Sequence, residues 1–347
     1  MLTKLFRNIL TKKKNHFMMI SVIKMTMKEL AALCHVSVSA VSKAFCDADD
    51  ISRDTKEHIF KIAKEQGCFG KFYKGKYHKK IIAVICHELN GGYYAIFLEK
   101  LQKLIENNDG ICVISTDNFV SSKQAELIEY YVSYLKVDGI IVLGLTSQLK
   151  KAYDTPIVSI FQSVDSRVDS VVTDMQTAIY DAVSVLYSLG HKNIGFISEN
   201  LTHIKKKHFE SAIKNFGNIT SYLAESDKRF EEAGIDGINK LFSKNKNITA
   251  VICAYDNIAL GAIKRLKEMG LNVPQDVSVI GIDNIQISNF TETSLTSIDT
   301  NPDDICNIAY ELLSKKLKNK YFKVNQSIII KSKIVIRESI GKAKEER

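Results

Sequence analysis

The sequence predicts an N-terminal all-α, helix-turn-helix head and an α/β body of two doubly wound subdomains with parallel sheets. Residues 26 to 67 carry the caps and apolar spacing of three short helices, and from residue 81 short apolar runs alternate with amphipathic segments. Charge separates the same two parts, because residues 1 to 80 hold 17 Lys and Arg against 7 Asp and Glu, and the remainder holds 31 against 32. A basic head on a neutral body is typical of a phosphate-binding domain joined to a sensing domain.

Each helix of the head begins at a hydroxyl side chain that can accept a hydrogen bond from the first turn: Thr26, Ser37 and Ser52. Thr26 has Glu29 three residues later, which forms a capping box and predicts a helix over residues 27 to 34. Gly67 suits the left-handed end of the third helix. The residues predicted to face inward are Leu30, Ala31, Leu33, Val38, Val41, Phe45, Ile59, Ile62 and Ala63.

The middle helix, residues 37 to 45, carries a second surface of small and hydroxyl-bearing residues. Ser39, Ser42 and Lys43 point away from its apolar face. Such a surface lets a helix approach base edges in the major groove of DNA. The sequence of the head therefore predicts DNA binding.

The strands expected in the body are short and continuously apolar. They cover residues 81 to 86, 111 to 116, 139 to 144, 157 to 160 and 170 to 172, and then 194 to 198, 219 to 223, 249 to 254 and 277 to 283. Strands buried on both faces have this pattern, so we expect parallel sheets with helices on each side. A ligand binds such sheets outside the carboxyl ends of the strands, which places it in the crevice between the two subdomains.

Five ordered blocks of sequence, at residues 25 to 45, 50 to 67, 249 to 284, 294 to 299 and 335 to 339, resemble the lactose repressor (LacI/GalR) family of bacterial transcription regulators. The resemblance implies a periplasmic-binding-protein-like body whose chain crosses between subdomains about three times. It also implies a homodimer on a palindromic double-stranded DNA operator. A small-molecule effector, a sugar or related metabolite, is expected to control operator affinity. No cofactor or metal is implied.

The resemblance predicts an extension at 1 to 24, a helix-turn-helix domain at 25 to 67, a hinge at 68 to 80, an effector-binding and dimerisation domain at 81 to 340 and a tail at 341 to 347. The N-subdomain is expected at about 81 to 175 and 297 to 320, and the C-subdomain at about 176 to 296 and 321 to 340. The candidate DNA-binding residues are Thr26, Ser37, Val38, Ser39, Ala40, Ser42, Lys43, Lys71, Lys74 and Tyr77.

Five candidate effector-binding residues match family positions. Tyr93 and Tyr94 match an aromatic pair that can stack on a sugar or base ring, although two tyrosines at a helix start can also pack inward. Asp283 matches the acidic residue that hydrogen-bonds effector hydroxyls or amines. Asp174 and Asp256 match further carboxylates, but each can equally be a helix N-cap.

Two further candidates depart from the family pattern. Lys205 stands where the family usually has an Arg, so a guanidinium that can form two parallel hydrogen bonds is replaced by a single ammonium group. Residues 205 to 207 can also be a solvated run of lysines. Phe161 and Gln162 replace an Asp-Arg pair, which makes that wall of the cleft more apolar. A carbohydrate or related metabolite remains the expected ligand.

The hinge departs most from the family. Relatives carry a Pro-Asn start and a leucine that wedges into the minor groove, whereas Gly70 and Gly75 here disfavour a stable helix. We expect Lys71 and Lys74 to bind phosphates, with a solvated basic tether as the alternative. Tyr77 falls at the position of the leucine, and whether it acts as a wedge stays open. Weaker DNA bending and tolerance of altered half-site spacing are predicted. Gel mobility with permuted sites tests this, and a sharp kink at the operator centre would contradict it.

Residues 1 to 24 hold six basic and no acidic residues and precede the position at which the family pattern begins. We expect a disordered extension or a start assigned too far upstream, with an amphipathic membrane-surface helix as the alternative. The seven cysteines form no CxxC pair, so neither a disulfide framework nor a zinc site is expected. No apolar run approaches the ~20 residues that cross a membrane. A cytoplasmic protein is expected.

Two other classes of protein compete with this interpretation. An enzyme on parallel sheets would carry a phosphate loop, a dinucleotide fingerprint or a nucleophile elbow, and the sequence contains none of these motifs. The second is a ligand-sensing binding protein that has lost operator binding through its altered hinge. A Lys43→Ala change that leaves DNA footprints unaltered would favour that second class.

Overall fold

The structure is a computed structural model that describes residues 25–46, 48, 50–73, 79–90, 92–319, 322 and 324–344. The chain divides into two compact units, the head and the body, between residues 78 and 79. The expectations for the extension at 1 to 24, for Lys74 and for Tyr77 lie outside the described residues.

The head contains helices α1 (Met27–Leu33), α2 (Val38–Phe45) and α3 (Arg53–Glu65). The predicted caps are confirmed, since the Thr26 hydroxyl accepts from the Glu29 amide at 3.2 Å and the Glu29 carboxylate accepts from the Thr26 amide at 2.7 Å. Ser37 and Ser52 cap α2 and α3 in the same way. Gly67 has φ of 65°, as its position at the end of α3 requires.

Two residues predicted to face inward are exposed instead. Leu33 keeps 46% and Val38 keeps 44% of its surface accessible. Each lies in a terminal turn of its helix, beyond the part that packs on the other two helices. Cys34 and Ala44 are buried in the same region and belong to the core of the head.

The head extends further than predicted, because residues 68 to 73 fold onto it rather than serving as hinge. A single helical turn, α4 (Phe69–Phe72), follows α3, and Cys68 and Phe72 are buried. The rings of this segment join Phe45 of α2 and Phe60 of α3 in an aromatic cluster. The predicted boundary at residue 67 is therefore wrong, since aromatic burial offsets the poor helix propensity of Gly70.

The body contains two six-stranded sheets, with helices on both sides, within the residues that the structure describes. Along the chain its elements are β1 (Lys80–Cys86), α5 (Tyr93–Asn107), β2 (Gly110–Thr116), α6 (Ser121–Glu129), β3 (Gly139–Leu145), β4 (Ile157–Ser163), β5 (Asp169–Thr173), α7 (Met175–Ser188), β6 (Asn193–Glu199), α8 (His203–Ile213), β7 (Thr220–Ser226), α9 (Phe230–Lys244), β8 (Ala250–Cys253), α10 (Asp256–Glu268), β9 (Ser278–Ile282), β10 (Thr296–Asp299), α11 (Pro302–Lys318), β11 (Ser327–Ile330) and β12 (Lys333–Val335).

The strand order is β11-β5-β4-β3-β1-β2 in the first sheet and β12-β10-β9-β8-β6-β7 in the second. Every pairing is parallel except that of β10 with β12. The central strands β3, β8 and β9 are buried on both faces, as their continuous apolar runs predicted, whereas the edge strands β2, β7, β11 and β12 are partly exposed. Two doubly wound subdomains are thus confirmed.

Two stretches lie in the opposite subdomain from the one predicted. Strand β10 was expected in the N-subdomain but extends the second sheet beside β9, and β11 was expected in the C-subdomain but extends the first sheet beside β5. The chain therefore crosses after β5, after β10 and between β11 and β12. Three crossings agree with the family resemblance, but their positions follow from edge pairings that the local sequence does not specify.

Among the described residues, no helix is both long and apolar enough to span a membrane. The same residues contain no group of three or more His, Cys, Asp and Glu side chains arranged to hold a metal ion.

Candidate functional site

Helix α2 presents the predicted DNA-binding residues on the outside of the head. Val38 and Ser39 are exposed and Ala40 is partly exposed, whereas the opposite face buries Val41 and Phe45. Because small side chains cover this surface, the helix backbone could approach a groove closely. The contacts themselves stay a prediction.

Four of the candidate DNA-binding side chains already have partners within the head. The hydroxyls of Thr26 and Ser37 cap their helices. The Lys43 ammonium pairs with the Asp50 carboxylate, and both groups are exposed. The Lys71 ammonium donates to the Met25 carbonyl at 2.6 Å. A phosphate contact by Lys71 would have to replace that bond, whereas the exposed Lys43 pair is weak and easily exchanged.

A cavity of about 480 Å³ lies between the two subdomains of the body, at the carboxyl ends of their strands. Five of the seven candidate effector-binding residues line it. They are Tyr93, Tyr94, Phe161, Lys205 and Asp283.

Aromatic rings form much of the cavity wall. Tyr93 stacks on Phe161 with ring centroids 5.4 Å apart and planes at 24°. Phe161 adopts a left-handed φ of 76°, next to a register shift between β3 and β4, so the backbone is strained where it turns this ring into the site. Burial raises the pKa of the Tyr93 hydroxyl well above its usual range. Three further rings were not predicted, and they are Phe119, Phe230 and Tyr255.

A buried polar network supports one side of the cavity, beginning at His87 directly after β1. The His87 Nδ1 lies 2.8 Å from Asp117 Oδ1, and the other oxygen of Asp117 accepts from Gln124 Nε2 at 2.6 Å. Because an ionised carboxylate can only accept, the His87 Nδ1 is the donor of this hydrogen bond, and Nε2 is the other nitrogen of the ring. That nitrogen lies beside Gly144, where a Cβ would come within 2.8 Å of it. This network was missed because its members lie on separate elements: His87 follows β1, Asp117 follows β2, and Gln124 lies on α6.

Lys205 and Asp283 form the polar wall contributed by the C-subdomain. The Lys205 ammonium donates to the Ala254 carbonyl at 2.7 Å and to Asp283 Oδ1 at 3.4 Å. Lys205 is therefore a cavity residue rather than part of a solvated run. Burial raises the pKa of Asp283 to about 7, although the nearby Lys205 acts in the opposite direction.

Arg229 bridges the two subdomains across the cavity and was not predicted. Its two terminal nitrogens donate to the carboxylate of Glu88 at 2.6 and 2.8 Å, and its Nε donates to Glu199 at 3.2 Å. Glu88 follows β1 in the N-subdomain, whereas Glu199 ends β6 in the C-subdomain. The guanidinium also lies 4.5 Å from the centroid of the Phe230 ring. The signal that the sequence offered for this cluster was the position of two carboxylates, Glu88 and Glu199, at the ends of strands.

Two of the predicted effector ligands do not line the cavity, and both form hydrogen bonds within the fold. Asp174 is the N-cap of α7 and accepts from the Thr177 amide at 3.1 Å, which was the alternative considered for it. Asp256 is fully buried and accepts from the Ile285 amide and the hydroxyls of Ser288 and Ser297. It thereby fixes the loop after β9 rather than facing the cavity, so we do not retain it as a ligand.

Comparison with known proteins agrees with this architecture. A model of the periplasmic binding protein-like domain matches residues 183–340. The HTH-type transcriptional repressor CytR of Escherichia coli strain K12 is 28% identical over 289 residues, covering 79% of this chain and 84% of that protein.

Two solved structures share the fold. The lac repressor dimer bound to operator and the anti-inducer ONPF has a TM-score of 0.73 at 17% identity, covering 91% of this chain and 99% of that one. A LacI family regulator from Enterococcus faecium with bound ribose has a TM-score of 0.67 at 21% identity, covering 76% and 100%. The relatives found by sequence are repressors of the lactose repressor (LacI/GalR) family of bacterial transcription regulators, and this chain is similar to them in its ordered sequence blocks, its capped head helices and its periplasmic-binding-protein-like domain.

Proposed function

We propose that this chain is a cytoplasmic, homodimeric transcriptional repressor, without enzymatic activity, that binds a palindromic operator through α2. Its operator affinity is controlled by a sugar or related metabolite in the cavity. The observation that carries the proposal is the pairing of an exposed, hydroxyl-rich helix in the head with an aromatic-lined cavity between two subdomains. Aromatic faces pack well against sugar rings, and the regulator from Enterococcus faecium binds ribose.

The proposed mechanism uses closure of the cleft rather than a chemical step. Tyr93 and Phe161 come from the N-subdomain, whereas Lys205 and Asp283 come from the C-subdomain. A ligand that contacts both sides favours one relative arrangement of the subdomains. In a dimer that arrangement sets the spacing of the two heads, so the ligand shifts the population of the DNA-competent state without touching DNA.

Selection of bound fragments from the organism's own genome would test the DNA-binding part. We expect palindromic sites whose half-sites lie about one helical turn apart. Enrichment of no sequence, together with intact effector binding, would instead favour a ligand sensor without an operator.

A further inference from the structure

The cationic side chains that line the cavity are already paired with carboxylates. Two full positive charges face the cavity, on Lys205 and Arg229, and three carboxyl groups face it, on Glu88, Glu199 and Asp283. If Asp283 is protonated, the two glutamates balance the two cations, and if it is ionised the lining carries one excess negative charge. Neither state supplies the positive excess that would attract an anion.

Arg229 already uses three of its five N–H donors on two carboxylates, which neutralise its positive charge. Its two terminal nitrogens form a fork on Glu88, and its remaining nitrogen donates to Glu199. This bidentate arrangement is the geometry that a phosphate would also use. A phosphate that bound Arg229 would remove the cationic partner of Glu88 and Glu199 and place a dianion beside these two carboxylates. Glu199 is only 2% exposed, so water could not replace the lost partner.

The Lys205 ammonium also has partners within the protein. Its ammonium donates to the Ala254 carbonyl and to Asp283, and only 21% of its side chain is accessible. The two histidines of the lining do not change this balance. His87 is held by Asp117, and His203 is exposed at the start of α8.

The first turns of α5 and α8 also line the cavity and favour negative charge. A helix N-terminus carries only about half a positive charge, whereas each carboxylate carries a full negative one. These ends can therefore orient hydroxyl lone pairs, but the glutamates outweigh them for a dianion.

We propose that the cavity takes an uncharged, polyhydroxylated ligand with a ring face, and that it discriminates against the phosphate ester of that ligand. This inference rests on the proposed function, since it specifies the chemical class of the effector. The ring would lie against the aromatic wall formed by Tyr93, Tyr94 and Phe161, and hydroxyl groups would donate to the carboxylates. The discrimination comes from Glu88 and Glu199, because these carboxylates already bind the Arg229 guanidinium that a phosphate group would need.

Calorimetric titration of the full chain with matched pairs tests this directly. The probes are D-ribose and ribose 5-phosphate, together with other pentoses and hexoses and their phosphate esters, at equal ionic strength. We expect each sugar that binds to do so at least about tenfold more tightly than its ester, which corresponds to about 1.4 kcal/mol. An ester that binds as tightly as its parent sugar, or more tightly, overturns the proposal.

Inorganic phosphate provides a second test that does not depend on which sugar binds. At about pH 8, where free imidazoles are uncharged, the native chain should show no saturable phosphate binding beyond a chloride control. A variant with Glu88→Gln and Glu199→Gln should gain saturable binding, because Arg229 is released. If the double variant misfolds, the single Glu88→Gln variant provides the same test. The matched control is Glu126→Gln, which changes an exposed glutamate outside the cavity.

Saturable phosphate binding by the native chain overturns the proposal, as does failure of both cavity variants to gain it while circular dichroism shows them folded. If none of the sugars or esters binds, the sugar effector of the proposed function fails. The phosphate experiment then decides the charge preference of the cavity by itself.

Discussion

At the scale of single residues, Asp117 holds together one wall of the cavity. It accepts from the His87 ring, from the Gln124 amide group and from the Phe119 backbone amide at 2.9 Å. The residue is 1% exposed, so water cannot substitute for any of these donors. Its position therefore fixes the orientation of the His87 ring, which lines the cavity.

The change Asp117→Asn should destabilise the fold, because the new amide group would face the Gln124 amide donor. Leaving a buried donor unpaired costs about 1 to 3 kcal/mol. Urea unfolding measures the loss, and Asp154→Asn, at an exposed position, is the control. Equal unfolding midpoints for Asp117→Asn and the native chain would show that the network contributes nothing to stability.

Asp283 should make stability depend on pH. Its pKa is raised from 3.8 to about 7 by burial, so between these values the folded chain holds a proton that the unfolded chain has released. The stability contributed by the protonated carboxyl is full below about pH 4 and is lost as pH rises toward 7. Asp256 contributes in the same direction, because burial raises its pKa to about 6.

The variant Asp283→Asn cannot ionise and should lose less stability over this pH range. We expect the difference from the native chain to grow from about pH 4 to 7, reaching a few kcal/mol at most. Chemical unfolding at a series of pH values measures it, with the exposed Asp227→Asn as the reference. Parallel curves for native chain and Asp283→Asn would refute the raised pKa.

At the scale of elements, α2 has one face that packs in the head and another that carries the predicted DNA contacts. Its buried face fixes the helix in the head, and its exposed face is covered by small and hydroxyl-bearing side chains. A change on the exposed face should therefore alter binding without altering stability.

Lys43→Ala should weaken operator binding by about 1 to 3 kcal/mol if the ammonium reaches a base edge. Loss of its exposed pair with Asp50 should leave the unfolding midpoint almost unchanged. Fluorescence anisotropy with selected operator fragments gives the affinity, and Lys318→Ala, on the surface of the body, is the control. Unaltered affinity would remove Lys43 from the interface.

The turn α4 should behave as part of the head rather than as linker. Phe72 is 6% exposed and its ring centroid lies 5.8 Å from that of Phe45. Phe72→Ala should cost about 3 kcal/mol or more, because it leaves a cavity in a small core. Amide hydrogen exchange in α1 to α3 of the full chain should rise accordingly, while the exposed Lys61→Ala leaves it unchanged. Unchanged protection in Phe72→Ala would indicate that residues 68 to 73 belong to the hinge and not to the head.

At the scale of the whole molecule, local signals in the sequence predicted local structure. The caps at Thr26, Ser37 and Ser52 and the apolar runs of the strands were correct because each depends on neighbours within a few residues. Strands β10 and β11 were assigned to the wrong subdomains, since sheet membership depends on pairing between distant segments.

The candidate site was predictable to the same limited extent. Tyr93, Phe161, Lys205 and Asp283 were found because they follow recognisable strand ends or match family positions. The Arg229 bridge was not, since Glu88 lies 141 residues away and nothing local pairs the two. A carboxylate that is buried for structural reasons, as Asp256 is, also looks the same in sequence as one that binds a ligand.

We propose that closure of the body on a ligand controls operator binding by the head, and operator titration measures this coupling. The native chain would be titrated onto a selected operator fragment with and without an uncharged sugar whose saturating binding calorimetry has verified. A shift in apparent operator affinity of about fivefold or more is expected, because allosteric coupling free energies are typically about 1 to 3 kcal/mol. Superimposable titration curves under verified saturation would contradict the account.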